Sequence, residues 1–395
     1  MKAAAALLLA FFVALPAWAV NGAGFQRIGG WFKIDPAADA LWAVDLPDPA
    51  NEMEVRLRLR AAPAGPLRRV VVVYPRKSTA YDIAMSTLLE AFAARAEPLE
   101  VRAVNYERDP ARGEAILAEA AASGAALMMA MGSETVEWLV GRPEDPPVPT
   151  VTICAKDPVP LGQIAGYEAG SGRNVAFTSL NLLVEAQVEN LKLLKPHLRA
   201  VAILTDAENT SAVETQARPI EAALRALGVE AFTVAVEGPQ RARADLERLL
   251  PEAMARMQAA DPELDDSLFW ITGATAVFAE IETINRLSGR VPVLSVAPEV
   301  VQAGEASAAL SIGVSFESNA RLAAVYAEAV LADPSAAGRL PVGVVSPPDI
   351  AINFLQVRRL GLRIPFPLFE AASFVYGLDG APLRAGGKSL SDEVE

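Results

Sequence analysis

The chain has 395 residues, 52% of them hydrophobic, with 29 prolines, 26 glycines and a formal net charge of −13. That length allows two lobes with separate cores, and the acidic balance argues against nucleic acid or an anionic membrane surface as a partner. One cysteine, Cys154, excludes an internal disulfide, and one histidine, His197, leaves too few ligands for a zinc site and no partner for a nucleophilic triad.

Residues 1–19, MKAAAALLLAFFVALPAWA, carry Lys2, an apolar run from Ala3 to Leu15, Pro16 and the small-x-small Ala17-Trp18-Ala19. This predicts a secretory signal cleaved after Ala19, because the run is shorter than the ~20 apolar residues that span a bilayer. No cysteine stands near the cleavage point, so a lipid anchor is not expected. The exported chain would be periplasmic, with 34 basic against 48 acidic residues once Lys2 is removed.

Residues 20–66 follow, with Trp31, Phe32, Trp42 and the alternating run Glu54-Val55-Arg56-Leu57-Arg58-Leu59-Arg60. They read as a small β appendage of unknown role, set apart by Pro63 and Pro66. From Arg68 the pattern becomes regular. RRVVVVYP is a continuous β-branched run, as expected of a strand covered on both faces. A helix through about Arg95 and the strand LEVRAVNY come next. Asp109 and Pro110 then cap a helix ending near Gly124, and ALMMAMGS is a third strand.

The stretch from Val148 to Asn181 organises what surrounds it. The strand PTVTIC ends at Lys156-Asp157-Pro158, where proline cannot join the ladder. A glycine-rich loop (Gly162, Gly166, Gly170, Gly172) and a polar strand-like run, Asn174 to Ser179, lead to a periodic helix after Asn181. Within that strand the Cys154 thiol is expected to be buried and inert.

A second alternating series runs through RAVAILTD, helix 212–227, VEAFTVAV, helix 240–259, SLFWITG, helix 276–288 and VPVLSV. Ser211 and Glu214 form a capping-box pattern, and Pro219 and Pro251 predict kinks or breaks. SAALSIGVSF, the helix SNARLAAVYAEAVLADP and PPDIAINFLQVRRLG close the regular part. Strand–helix alternation with short connections argues for parallel sheets covered by helices on both faces.

Catalysis has little support. His197 follows Lys195-Pro196 at a helix end, GSGRN lacks the spacing of a dinucleotide loop, and Asp265-Asp266 reads as a solvated turn. No enzyme activity, cofactor or metal is expected. Binding has more. Ser78, Thr79, Ser133, Glu134, Asp157, Thr205, Asp206, Thr272, Thr275 and Ser295 all stand at the carboxyl ends of predicted strands. In doubly wound sheets that is the ligand edge.

VPTVTICAKDPVP, GSGRNVAFTS, LKLLKPHLRAVAIL, VPVLSVAPEVVQAG, GVSFESNARLAAVYAEAVL and PPDIAINFLQVRRLGLRIP, in this order, resemble the ABC-transporter substrate-binding family that includes tryptophan- and tyrosine-binding lipoproteins. The resemblance covers about 68–372. It implies an α/β type I periplasmic binding fold of two Rossmann-like doubly wound lobes with three hinge crossovers, near 177–181, 305–312 and 340–346. Lobe 1 would comprise 67–179 plus 309–342, lobe 2 would comprise 180–308 plus 343–376, and 377–395 would be a loose tail.

Carried over by position, the implied ligand contacts are Ser78, Thr79, Gly132, Ser133, Glu134 and Asp157 from the first lobe, and Asp206, Asn209, Thr272, Thr275 and Ser295 from the second. Many relatives have an Asp where Gly273 stands and Ser-Asp where Val296-Ala297 stand. Their loss weakens the case for an α-amino acid, since a buried ammonium needs a paired anion. The resemblance implies a monomer that captures a small amino-acid-like or aromatic molecule and delivers it to an inner-membrane ABC permease. The alternative is a periplasmic sensor that uses the appendage to contact a membrane receptor.

Overall fold

The computed structural model describes residues 26–390 except 29, 47–50, 62 and 96, so the expected signal segment lies outside the described residues. Two sheets carry the architecture. The first is ordered Trp42–Asp45, Glu54–Leu59, Leu99–Asn105, Arg68–Tyr74, Leu127–Met131, Thr150–Ile153, Val175–Ala176. The last five of these strands are parallel. The second sheet runs Glu230–Val236, Ala200–Asp206, Ser267–Ile271, Val293–Ser295, Leu310–Gly313, Asp349–Asn353, Phe374–Tyr376, Pro382–Ala385, Lys388–Ser389. Its first five strands are parallel as well.

Each parallel core is buried on both faces, which is why its strands are runs of Val, Ile, Leu and Met without polar alternation. Helices cover both sides, giving two apolar clusters per lobe. Asp109 accepts from Ala111 N at 2.9 Å at the head of the helix Pro110–Ala122, as its pairing with Pro110 predicts.

The chain crosses between the sheets three times. After Val175–Ala176 it runs through Thr178–Ser179 into the helix Val184–Leu194, which packs on the second sheet. After Leu310–Gly313 it returns in the helix Phe316–Ala332, packed on the first-lobe helix Thr79–Ala93. It leaves again after Gly343–Val344, which pairs in parallel with Thr178–Ser179. The strand Leu310–Gly313 therefore lies in the second sheet, not in the lobe 1 segment 309–342. That crossing falls at Val314 and Ser315, a few residues later than expected.

The described residues of the segment 20–66 do not form an appendage. Its strands Trp42–Asp45 and Glu54–Leu59 extend the first sheet antiparallel to Leu99–Asn105. Trp42 is fully buried and its indole Nε1 donates to Leu89 O at 2.9 Å. Trp31 packs edge-on to Tyr74 at 5.1 Å. Asp35 accepts from Ala38 N at 2.8 Å, and its own N–H donates to Ser86 Oγ at 2.9 Å. The aromatics that marked the segment as unusual are first-lobe core.

The tail from 377 is not loose up to Leu390. Pro382–Ala385 and Lys388–Ser389 form a hairpin on the edge of the second sheet. Pro251 leaves the helix Ala242–Ala260 continuous. Around Pro219 the break is a π-helical turn, Val213–Ala217, before the helix Arg218–Ala226. Proline has no N–H to give the carbonyl four residues back. That carbonyl, Thr215 O, instead accepts from Asn181 Nδ2 at 3.0 Å, so the π turn is tied to the first crossing.

Candidate functional site

The carboxyl ends of both parallel sheets face one another across a cleft of about 470 Å³, lined from both lobes and from the crossings. That volume lies within the range of small-molecule sites. Leu180, Val314 and Phe316, from two crossings, contribute apolar wall.

Of the eleven ligand contacts that the resemblance implies, Ser78, Ser133, Glu134, Asp206, Asn209 and Thr275 line this cleft. Five do not. Thr79 is exposed at the start of its helix. Asp157 turns into the glycine-rich loop, accepting from Tyr167 Oη at 2.7 Å and Val159 N at 3.0 Å. Thr272 is buried, its hydroxyl donating to Leu204 O at 3.1 Å, and Ser295 accepts from Ala297 N at 3.0 Å. Gly132 is backbone at φ 80°, where a Cβ would lie 2.1 Å from the Tyr81 hydroxyl. It makes room for the ring that does line the cleft.

Local chemistry fixes the others. The Ser133 hydroxyl accepts from Lys156 N at 2.9 Å, holding the end of the fourth first-lobe strand against the preceding helix. Asp206 Oδ1 accepts from Glu208 N at 3.0 Å and Gly238 N at 3.1 Å. Asn209, not Ser211, caps the helix that follows, accepting from Ala212 N at 3.1 Å. Ser211 donates its hydroxyl to Asn209 Oδ1 at 3.0 Å, so the capping-box reading is corrected.

Sequence reasoning found Glu134 and Asp206 but missed the cations of the cleft, Arg76, Arg108 and Lys156, which stand beside four carboxylates, Glu134, Glu137, Asp206 and Glu208. Arg76 pairs with Glu134 at 3.0 Å, and Arg108 reaches the same carboxylate. Arg108 stands at positive φ, 59°, in a turn that no motif announced. Lys156 is 93% buried, with 7% of its surface exposed, and makes no ion pair among the described residues. Burial lowers its pKa from 10.5 to about 8, while Cys154 and Glu299 act in the opposite sense.

The Lys156 ammonium extends from the first lobe to Gly273 of the second. A Cβ on Gly273 would lie 2.0 Å from Nζ. Gly273 N donates to Gln216 Oε1 at 2.7 Å, and Gln216 sits on the π turn. Cys154, at φ 53°, is buried against the cleft with its thiol pKa pushed up by burial, consistent with the inert reading. His197 is exposed and lies outside the cleft lining.

Glu299 sits where the second lobe meets the second crossing. Its Oε1 accepts from Phe316 N at 2.7 Å, and its Oε2 is buried without a partner among the described residues. Burial, reinforced by Glu317 and Asp349, pushes its pKa up from 4.5 to about 8. A folded-state pKa above the unfolded value contributes stability that is present below about 4.5 and lost as pH rises through about 8. Glu299→Gln keeps the acceptor for Phe316 N and removes the titration. Its melting temperature is expected to exceed the wild type's by several degrees at pH 8.5, with a smaller gap at pH 5. Equal gaps at the two pH values would show that Glu299 titrates normally.

No protein-family profile matches the chain, and no curated protein sequence matches it. Among solved structures, an ABC domain in complex with L-Trp from Streptococcus pneumonia superposes with a TM-score of 0.62 at 17% identity, over 78% of this chain and 100% of that one. A conserved domain protein from Vibrio cholerae gives 0.61 at 20% identity, over 78% and 99%. The ligand-free, open structure of a substrate-binding protein with adhesive properties from Clostridium difficile gives 0.57 at 17% identity, over 77% and 98%. No helix of the described residues is long and apolar enough to cross a membrane. Two doubly wound lobes, three crossings and these likenesses together give the chain the type I periplasmic binding fold found in ABC-type substrate-binding proteins.

Proposed function

We propose that this chain is the periplasmic solute-binding component of an ABC importer. It captures a small organic molecule by closing its two lobes and presents the closed form to a membrane permease. The observation that carries this reading is the cleft itself, whose polar lining comes from both lobes and whose apolar wall is shared between the lobes and the crossings. A ligand touching both walls has contacts in the closed state that the open state lacks, and this differential affinity moves the population. A shift from 1:99 to 99:1 takes about 5.5 kcal/mol.

The sensor reading draws on a free N-terminal appendage as its receptor contact. Burial of Trp31, Phe32 and Trp42 in the first-lobe core takes that support away.

The test is a thermal-shift screen of the chain from residue 20 onward against amino acids, aromatic acids, nucleosides and vitamins. A ligand at 100 times its dissociation constant adds about 2.7 kcal/mol. One chemical class raising the melting temperature supports capture. No shift from any class on folded protein counts against it.

A further inference from the structure

On that reading of the cleft, we infer that the captured solute is a small organic acid whose carboxylate sits on Lys156 at the seam between the lobes. Of the three cleft cations, Arg76 and Arg108 both pair with Glu134, while Lys156 has no carboxylate within ion-pair distance among the described residues. A buried ammonium without an anion is costly, and an incoming anion removes that cost. Glu299, the carboxyl whose field reaches Lys156, is held mostly protonated near neutrality by its burial and keeps its Oε1 on Phe316 N.

The second lobe leaves space for this ammonium. Gly273 is the residue it touches, and a Cβ there would meet Nζ at 2.0 Å. The neighbouring amide is already committed to Gln216, and Val296 and Ala297 add apolar wall without a carboxylate. An ammonium-bearing ligand end would find a like charge at this point. A single ammonium, with both arginines engaged elsewhere, matches one carboxylate better than a phosphate dianion, which calls for several donors. The anion would touch the first lobe through Lys156 while abutting the second at Gly273, so binding and closure would be one event.

The experiment is calorimetric titration of the chain from residue 20 with a matched series. Its members are 3-phenylpropionate, phenylpyruvate and succinate, against 3-phenylpropionamide, phenethylamine, L-phenylalanine and phenyl phosphate. Wild type, Lys156→Met and Gly273→Asp are compared, the last placing a carboxylate against the same ammonium. The expected result is binding confined to the three acids that carry no ammonium, weakened on the order of 30-fold in Lys156→Met, the size of a lost charge-assisted hydrogen bond, and weakened likewise in Gly273→Asp. Equal binding of the amide or amine, tighter binding of phenyl phosphate, or acid affinity retained in both variants would overturn the assignment and leave solute capture standing. A blank across this series beside a hit from another class in the wider screen also overturns only the carboxylate assignment. A blank in both removes the capture reading with it.

Discussion

Replacing Lys156 by methionine is expected to stabilise the ligand-free protein while weakening ligand binding on the order of 30-fold. The buried, unpaired ammonium is a cost to the fold, on the order of 3 kcal/mol at pH 7 by the depression of its pKa. Methionine fills similar space without charge. Lys156 is lowered from 10.5 to about 8. Between those values the unfolded chain holds a proton that the folded chain has released, so this group makes stability rise with pH across that window. In urea denaturation the stability gap between Lys156→Met and wild type should therefore narrow from pH 7 to pH 10, whatever Glu299 contributes to both. A variant less stable than wild type at pH 7 would mean that Lys156 is satisfied in the fold and is structural. A gain in stability together with a loss of binding is the pattern of a residue kept for function.

Trp42→Ala is expected to cost about 3–5 kcal/mol of folding stability, the usual range for truncating a fully buried aromatic. It also removes the donor to Leu89 O. The acceptor belongs to the helix Thr79–Ala93, whose first turn carries Tyr81 into the cleft, so the loss reaches the site through one element. Denaturant unfolding measures it. A cost below about 1 kcal/mol would mean that the N-terminal strands are an accessory, separable from the first lobe.

Trp42 also shows where reading the chain as a string stopped. Alternating Glu54 to Leu59 announced a half-exposed strand, but periodicity carries no information about which sheet a strand joins. Antiparallel pairing with Leu99–Asn105 is a long-range choice. The parallel strands were legible because burial on both faces demands continuous apolar runs, and no other element tolerates RRVVVVY or SLFWI so readily. Site residues at strand ends were legible as positions, not as directions. Asp157 and Asp206 look alike in sequence. One turns to Tyr167 and a loop, the other faces the cleft, because tertiary partners decide the rotamer.

In the sequence Lys156 reads only as part of a turn. Its role depends on Gly273, more than a hundred residues away, and on the arginines being occupied by Glu134. A signal was present in the sequence: the expected second-lobe acids are absent at Gly273 and Val296-Ala297, while a lysine stands on the opposite strand end. The two observations belong together only once the lobes face each other.

The measurement closest to the central claim is small-angle X-ray scattering of the chain from residue 20, with and without a saturating concentration of its best-stabilising compound. Lobe closure on a cleft ligand predicts a smaller radius of gyration in the loaded protein, with Lys156→Met needing on the order of 30-fold more compound to reach the same change. A radius that stays constant while the wild type is demonstrably saturated would contradict capture by closure.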